Sequence, residues 1–135
     1  MSFGQWYLRR GRIGRRTWWL HYGLVIVGLA VLAAIADTVL GYPGLVPEPA
    51  EAGTLYGTTG GPLELLVTLG TIVPSVSSTV ARLHDRDHSA WWLLWWLLPV
   101  VGWIVLFVDN GFLRGTPGAN RYGPPTDVPT EPVPV

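Results

Sequence analysis

Between Trp18 and Leu40 the chain is a continuous apolar run, interrupted only by His21 near its start and Asp37 near its end. A helix needs ~20 apolar residues to cross a ~30 Å hydrocarbon core, and this run is long enough. Its basic start, apolar centre and Ala34-Ile35-Ala36 also resemble a secretory signal cleaved before Asp37. Two further apolar runs, 63–81 and 90–108, favour a multispan membrane protein instead. The reading is an all-α integral membrane protein with three transmembrane helices at 18–40, 63–81 and 90–108.

Charge fits that class. Charged residues are 13% of the chain, about half the ~25% share of a soluble domain, while hydrophobic residues reach 49%. There is no Cys and no Lys, which excludes disulfides, thiol nucleophiles, Schiff-base lysines and the lysine-bearing phosphate loop. Gly57, Gly60 and Gly61 therefore read as linker residues. Net charge is zero, but Arg9, Arg10, Arg12, Arg15 and Arg16 crowd the N-terminus.

Residues 1–17 mix these arginines with Phe3, Trp6 and Tyr7, a pattern that suits an interfacial segment with rings in the headgroups and guanidiniums on anionic lipid. Nucleic acid is the other polyanion such a cluster could meet. The cluster is short and membrane spans follow it directly, so membrane lipid is the expected partner. The loop 41–62 holds Pro43, Pro47, Pro49, Pro62, Glu48 and Glu51 but no Arg, as expected of a non-cytoplasmic segment. In the second span Thr68, Thr71, Ser75, Ser78 and Arg82 share one helical face, either a small-residue packing seam or a polar path. Pro74 predicts a kink. In the third run Ser89 or Asp87 can cap the start. Trp91, Trp92, Trp95 and Trp96 then match Trp18, Trp19 and Tyr22 as one aromatic belt. Residues 109–123 form a turn-rich motif, and 124–135 a disordered Pro-rich tail.

Arginine placement sets the orientation. With the N-terminus cytoplasmic and three spans, only Arg114 and Arg121 fall outside. Two spans plus a re-entrant hairpin around Pro99 would put every Arg on the cytoplasmic side. The stretch Arg82-Leu83-His84-Asp85-Arg86-Asp87-His88-Ser89 concentrates the polar chemistry. His84 and His88 at i, i+4 could ligate a divalent metal on a helix. No third ligand is evident and Arg82 and Arg86 would repel the cation, so no metal or cofactor is expected. A turn held by Arg–Asp pairs is the simpler reading. Acid–base chemistry by His84 and Asp85 would need a nucleophile or substrate that the sequence does not show.

Three patches together carry a resemblance. They are Gly11-Arg12-Ile13-Gly14-Arg15-Arg16-Thr17-Trp18-Trp19; Arg82-Leu83-His84-Asp85 with Ser89-Ala90-Trp91-Trp92, Pro99 and Gly102; and Gly115-Thr116-Pro117-Gly118 with Asn120-Arg121-Tyr122-Gly123-Pro124. In order and spacing they are similar to the small bacterial inner-membrane proteins grouped as domain of unknown function 805. Asp87 and His88 stand outside that pattern. The resemblance implies a multi-pass inner-membrane location and brings no known activity. Its motif residues here are Arg12, Arg15, Trp19, Arg82, Leu83, His84, Asp85, Ser89, Trp91, Trp92, Gly115, Gly118, Asn120, Arg121, Tyr122 and Gly123, with no catalytic assignment.

The expected function is a non-enzymatic membrane component that binds lipid or a partner protein, itself or another. The alternatives are an oligomeric transporter or channel subunit, and a membrane enzyme using His84 and Asp85. Residues 115–124 are expected to fold back on the charged turn if the C-terminus is cytoplasmic.

Overall fold

A computed structural model of the chain describes residues 2–42, 44 and 60–126. Most of the loop 41–62, and the tail from 127 onward, lie outside the described residues. Among those described the chain is helical, with one isolated β-bridge between Asn120 and Gly123. We label α1 (Phe3–Tyr7), α2 (Arg15–Leu40), α3 (Pro62–Asp85), a 3₁₀ helix (Ala90–Leu97) and α4 (Val101–Gly111).

Helices α2 and α3 are both long and apolar enough to cross a membrane. Leu24, Val27, Val31, Leu32 and Ile35 on α2, and Leu66 and Leu69 on α3, are exposed. A soluble monomer does not leave continuous apolar helix surfaces uncovered, so these exteriors suit a membrane protein.

The two helices are tied at both ends. Gly41, at φ +68°, stops α2: its N–H donates to Thr38 O and that of Tyr42 to Asp37 O, a left-handed C-terminal motif. Asp37 itself is buried and its carboxylate accepts from the N–H groups of Leu63 (3.1 Å) and Glu64 (2.9 Å). Helix α3 starts at Gly61-Pro62 with no side-chain cap of its own, so Asp37 supplies the cap from the neighbouring helix. A Cβ on Gly61 would lie 2.3 Å from the Asp37 carboxylate, so only glycine permits this approach. At the other end Ile13, Tyr22 and Ala81 form a small buried core, with the Ile13 N–H donating to Ala81 O.

The N-terminal segment does not lie free. Trp6 stacks on Tyr22 and its indole N–H donates to His21 O, while Ser77 Oγ donates to Tyr7 O and accepts from the Arg9 N–H. Segment and α3 are thereby sewn together. Helix α3 continues as one element through Pro74, which is buried. Of the polar face expected on it, Thr71 and Ser78 point inward and donate to the carbonyls of Val67 and Ser75. Thr68 is exposed.

The single helix expected over 90–108 is not formed. The chain makes a 3₁₀ helix, turns at Pro99-Val100, and returns as α4. The Val101 N–H donates to Pro99 O at 2.9 Å around Val100 at φ 67°, ψ −67°, a γ-turn of the rare, strained kind. Gly102 lets the limbs close: a Cβ there would sit 1.6 Å from the Trp95 carbonyl oxygen. At ~2.0 Å per residue for the 3₁₀ limb and ~1.5 Å for α4, each limb reaches roughly 16 Å, about half a hydrocarbon core. Ser89 occupies the N-cap position without a side-chain bond, and Asp87 is engaged elsewhere, so neither caps this element as expected.

Replacing Gly102 by Ala should force the limbs apart. A loss of ~1–3 kcal/mol is expected, read as a lower Tm of the purified protein in detergent, while Gly28→Ala on the open face of α2 should not lower Tm.

Candidate functional site

The three sequence patches meet at one end of the α2–α3 pair, and Asp85 is the residue they share. It ends α3, and its carboxylate is fully covered. Oδ1 accepts from Arg12 Nε at 3.0 Å and from Thr126 Oγ1 at 3.0 Å; Oδ2 accepts from Arg82 at 2.7 Å. Arg82 is 0% exposed and Arg12 is 7% exposed. Two buried cations beside one anion leave excess positive charge, and main-chain carbonyls meet it. Arg12 also donates to the carbonyls of Thr116, Gly118, Gly123 and Asp85. Arg82 donates to those of Asn110 and Leu113.

Backbone geometry makes this possible. The Arg82-to-Ser89 stretch ends the helix through Asp87 at φ 61°, with the N–H groups of Asp87 and His88 donating to His84 O and Leu83 O. Short polar residues tolerate this left-handed position. Leu83 beneath it is completely buried. The 115–123 motif then folds onto the turn. The Thr116 N–H donates to Asp85 O at 2.8 Å, and Asn120 Nδ2 to His84 O at 2.9 Å. Asn120 and Gly123 exchange main-chain bonds, and Gly123 sits at φ +134°. A Cβ on Gly115 would lie 2.0 Å from Asp85 Oδ2, so glycine is required against the carboxylate. Tyr122 stacks on His84 with ring centres 3.8 Å apart, and Arg121 pairs with Asp87 at 3.2 Å. Residues 115–124 therefore do fold back on the charged turn.

Other motif residues dock the helices. Arg15 donates to Phe112 O and Trp19 Nε1 to Gly111 O at 3.0 Å. A π turn over Trp19–Gly23 aims Trp19 at α4, where it meets Phe107 and Phe112 edge-on. Trp19 and the buried Tyr22 are thus packing residues, not members of a lipid-facing belt. Trp91 is 76% exposed, as expected of a belt, while Trp92 stacks on His88.

His84 and His88 diverge. His84 lies under Tyr122, whereas His88 Nε2 is 3.6 Å from Asp109. Asp109 also pairs with Arg86 at 2.7 Å. Sequence reasoning missed Asp109, Asn110 and Asp37 as structural groups. Their one visible signal was polarity at the closing end of an apolar run. Burial holds His84 below its ordinary value of 6.5, with Arg121 pushing the same way and a main-chain hydrogen bond with Gly11 opposing.

The chain matches the family described as "Protein of unknown function (DUF805)" over residues 7–124. It is 36% identical to inner membrane protein YhaH of Escherichia coli (strain K12), covering 88% of this chain and 93% of that protein. It is 30% identical to inner membrane protein YhaI of the same strain, over 88% and 92%. With the uncharacterized protein YiiR of that strain it shares 32% identity, over 93% and 91%. No solved structure matches.

Two outcomes are expected. Asp85→Asn strands two buried guanidiniums and should destabilise by at least ~3 kcal/mol, read by thermal unfolding; Asp87→Asn, removing a half-exposed pair, should cost under ~1 kcal/mol. Because His84 binds its proton less readily in the fold than in the unfolded chain, stability should be intact above pH 6.5 and decline below it. Protection factors of the amides across 115–123 should fall on acidification in wild type and much less in His84→Gln.

Proposed function

The chain belongs to the DUF805 family of proteins of unknown function, and on that premise we propose that it is a non-enzymatic inner-membrane component whose cytoplasmic face engages anionic lipid headgroups. The observation that carries this reading is the closed network around Asp85. Arg12, Arg82 and Asp85 are buried and saturated by one another and by carbonyls. These three residues are therefore the clasp of the cytoplasmic face and not its contact surface, which for Arg12 is a change from the lipid contact expected of the N-terminal arginines.

Exposed cations remain around the clasp: Arg10 and Arg16 on the N-terminal side, and Arg114 beside the returning hairpin. Each Arg held near an anionic leaflet contributes roughly 1 kcal/mol. A catalytic role for His84 and Asp85 fits poorly. The carboxylate already serves two guanidiniums and a hydroxyl, and the imidazole lies under a tyrosine ring. A path along the Thr68–Ser78 face fits poorly too, because its inward hydroxyls bond to their own helix.

The topology belonging to this reading is two crossings, α2 and α3, with the 90–111 hairpin re-entrant. The hairpin starts directly after the Asp85 turn, and its returning end is held at the same level by the Arg82–Asn110 and Arg86–Asp109 contacts. All nine arginines then lie at one end, which the positive-inside bias makes cytoplasmic. The acidic, Arg-free loop 41–62 takes the other side.

A compartment-sensitive reporter fused at Val135 should report the cytoplasm; a periplasmic signal would remove this topology. In vesicles, phosphatidylglycerol should raise Tm relative to phosphatidylcholine, and the combined Arg10→Gln, Arg16→Gln, Arg114→Gln variant should lose most of that rise. Equal Tm in both lipids would overturn the headgroup role.

A further inference from the structure

Arg15, the first residue of α2, is a wall shared by two clefts at the start of the span. One, of about 390 Å³, lies over the clasp, with Arg15, Arg114, Gly115, Thr116 and Thr126 in its lining. The other, of about 540 Å³, is lined by Arg15, Arg16, Trp19, Leu20, Gly111 and Phe112. Trp19 lies one turn further into the span than Arg15, on the same helical face. Leu20 and Phe112 are 47% and 57% exposed, so this second cleft is open along its apolar side. The Arg15 side chain is pinned where the two clefts meet: its Nη1 donates to Phe112 O at 3.1 Å, and Phe112 is itself a wall of the apolar cleft.

Charge around the first cleft is of one sign. No acidic side chain lines either cleft among the described residues. The exposed Arg114 side chain has no partner among them, and Arg15 has only the Phe112 carbonyl, which leaves most of its five N–H donors open. Behind the wall, Thr116 and Thr126 bond to Asp85, whose cluster with Arg12 and Arg82 carries one net positive charge. Both hydroxyl hydrogens are taken by that bonding, so the side-chain donors left for an occupant are guanidinium N–H groups. We infer that the two clefts together hold one anionic phospholipid, its phosphate on Arg15 and Arg114 and an acyl chain along Trp19, Leu20 and Phe112. Guanidinium and phosphate match in charge and in donor geometry. A zwitterionic head would bring an ammonium to a place with two guanidiniums and no carboxylate to receive it. This inference rests on the reading that the face meets anionic lipid, and narrows it from a charged surface to one site of fixed stoichiometry.

The test titrates the full chain, in an uncharged detergent, with dioctanoyl phosphatidylglycerol, dioctanoyl phosphatidylcholine and glycerol 3-phosphate, and counts bound molecules by native mass spectrometry. One phosphatidylglycerol per chain should bind, at least tenfold more tightly than phosphatidylcholine, and glycerol 3-phosphate should not bind at the same concentrations. Arg15→Gln should weaken phosphatidylglycerol by about tenfold and leave phosphatidylcholine unchanged. Arg114→Gln, at a side chain that holds nothing in the described fold, should do the same and decides the matter should Arg15→Gln fail to fold. Glycerol 3-phosphate binding as tightly as the lipid would overturn the inference, leaving a phosphate site without a chain groove. So would several equal, weak lipid sites that neither substitution alters. In that last case a Tm still raised by phosphatidylglycerol vesicles would leave the headgroup reading standing without this site, whereas equal Tm in both vesicle types removes both.

Discussion

Two guanidiniums buried against a single carboxylate cannot be neutralised by that carboxylate alone. At the Asp85 site the remainder is met by oriented carbonyls, and these come from segments far apart in the chain: Asn110 and Leu113 for Arg82, Thr116, Gly118 and Gly123 for Arg12. Removing water from such cations is costly unless every donor is met. The site therefore exists only when the N-terminal segment, the end of α3, the end of α4 and the 115–123 loop are all in place. Cooperativity of this kind turns a small helical assembly, with little buried apolar core, into one defined arrangement.

The two ends of the α2–α3 pair solve the same problem at different scales. Asp37 caps α3 with one buried carboxylate received by two N–H groups, and Gly61 gives it room. Asp85 receives two arginines and a threonine, and Gly115 gives it room. In each case a glycine opposite a buried carboxylate is dictated by space rather than by backbone freedom. The patterned glycines of the third sequence patch have this steric cause in Gly115 and a conformational one in Gly123, at φ +134°.

The long apolar helices, the charged turn and the membrane class were legible because they follow from run length and composition. Which residues face lipid was less so. Trp19 and Tyr22 read as belt residues because sequence shows ring type and depth, but not the π turn that rotates them inward. Arg12 read as a lipid contact because an N-terminal cluster looks uniform in sequence; its burial depends on a loop more than a hundred positions away. Asp37 was invisible for the same reason, since its partners at Leu63 and Glu64 lie across the 41–62 loop. The break in the third run was signalled by Pro99, yet whether it bends or closes depends on Gly102 meeting Trp95, a tertiary fact.

That closure bears on how a hairpin tip could be tolerated inside hydrocarbon, where unpaired backbone is expensive. The tip here pairs most of its backbone polar groups internally, the Val100 N–H excepted. Pro99 has no N–H to satisfy. The Leu98 N–H donates to Trp95 O, Val101 to Pro99 O and Gly102 to Leu98 O. Trp103 Nε1 donates across to Trp96 O at 3.3 Å. The strained γ-turn at Val100 is thus part of the solution, since a wider turn would release the Pro99 carbonyl from its donor. A 3₁₀ limb serves the same end. Its threefold repeat brings Trp92 and Trp95 into tilted contact, with ring centres 6.0 Å apart, and leaves Trp91 and Trp96 outward. Pairing most of the tip from within reduces what a surrounding bundle must supply, which is how two long helices carry a half-depth hairpin in the proposed arrangement.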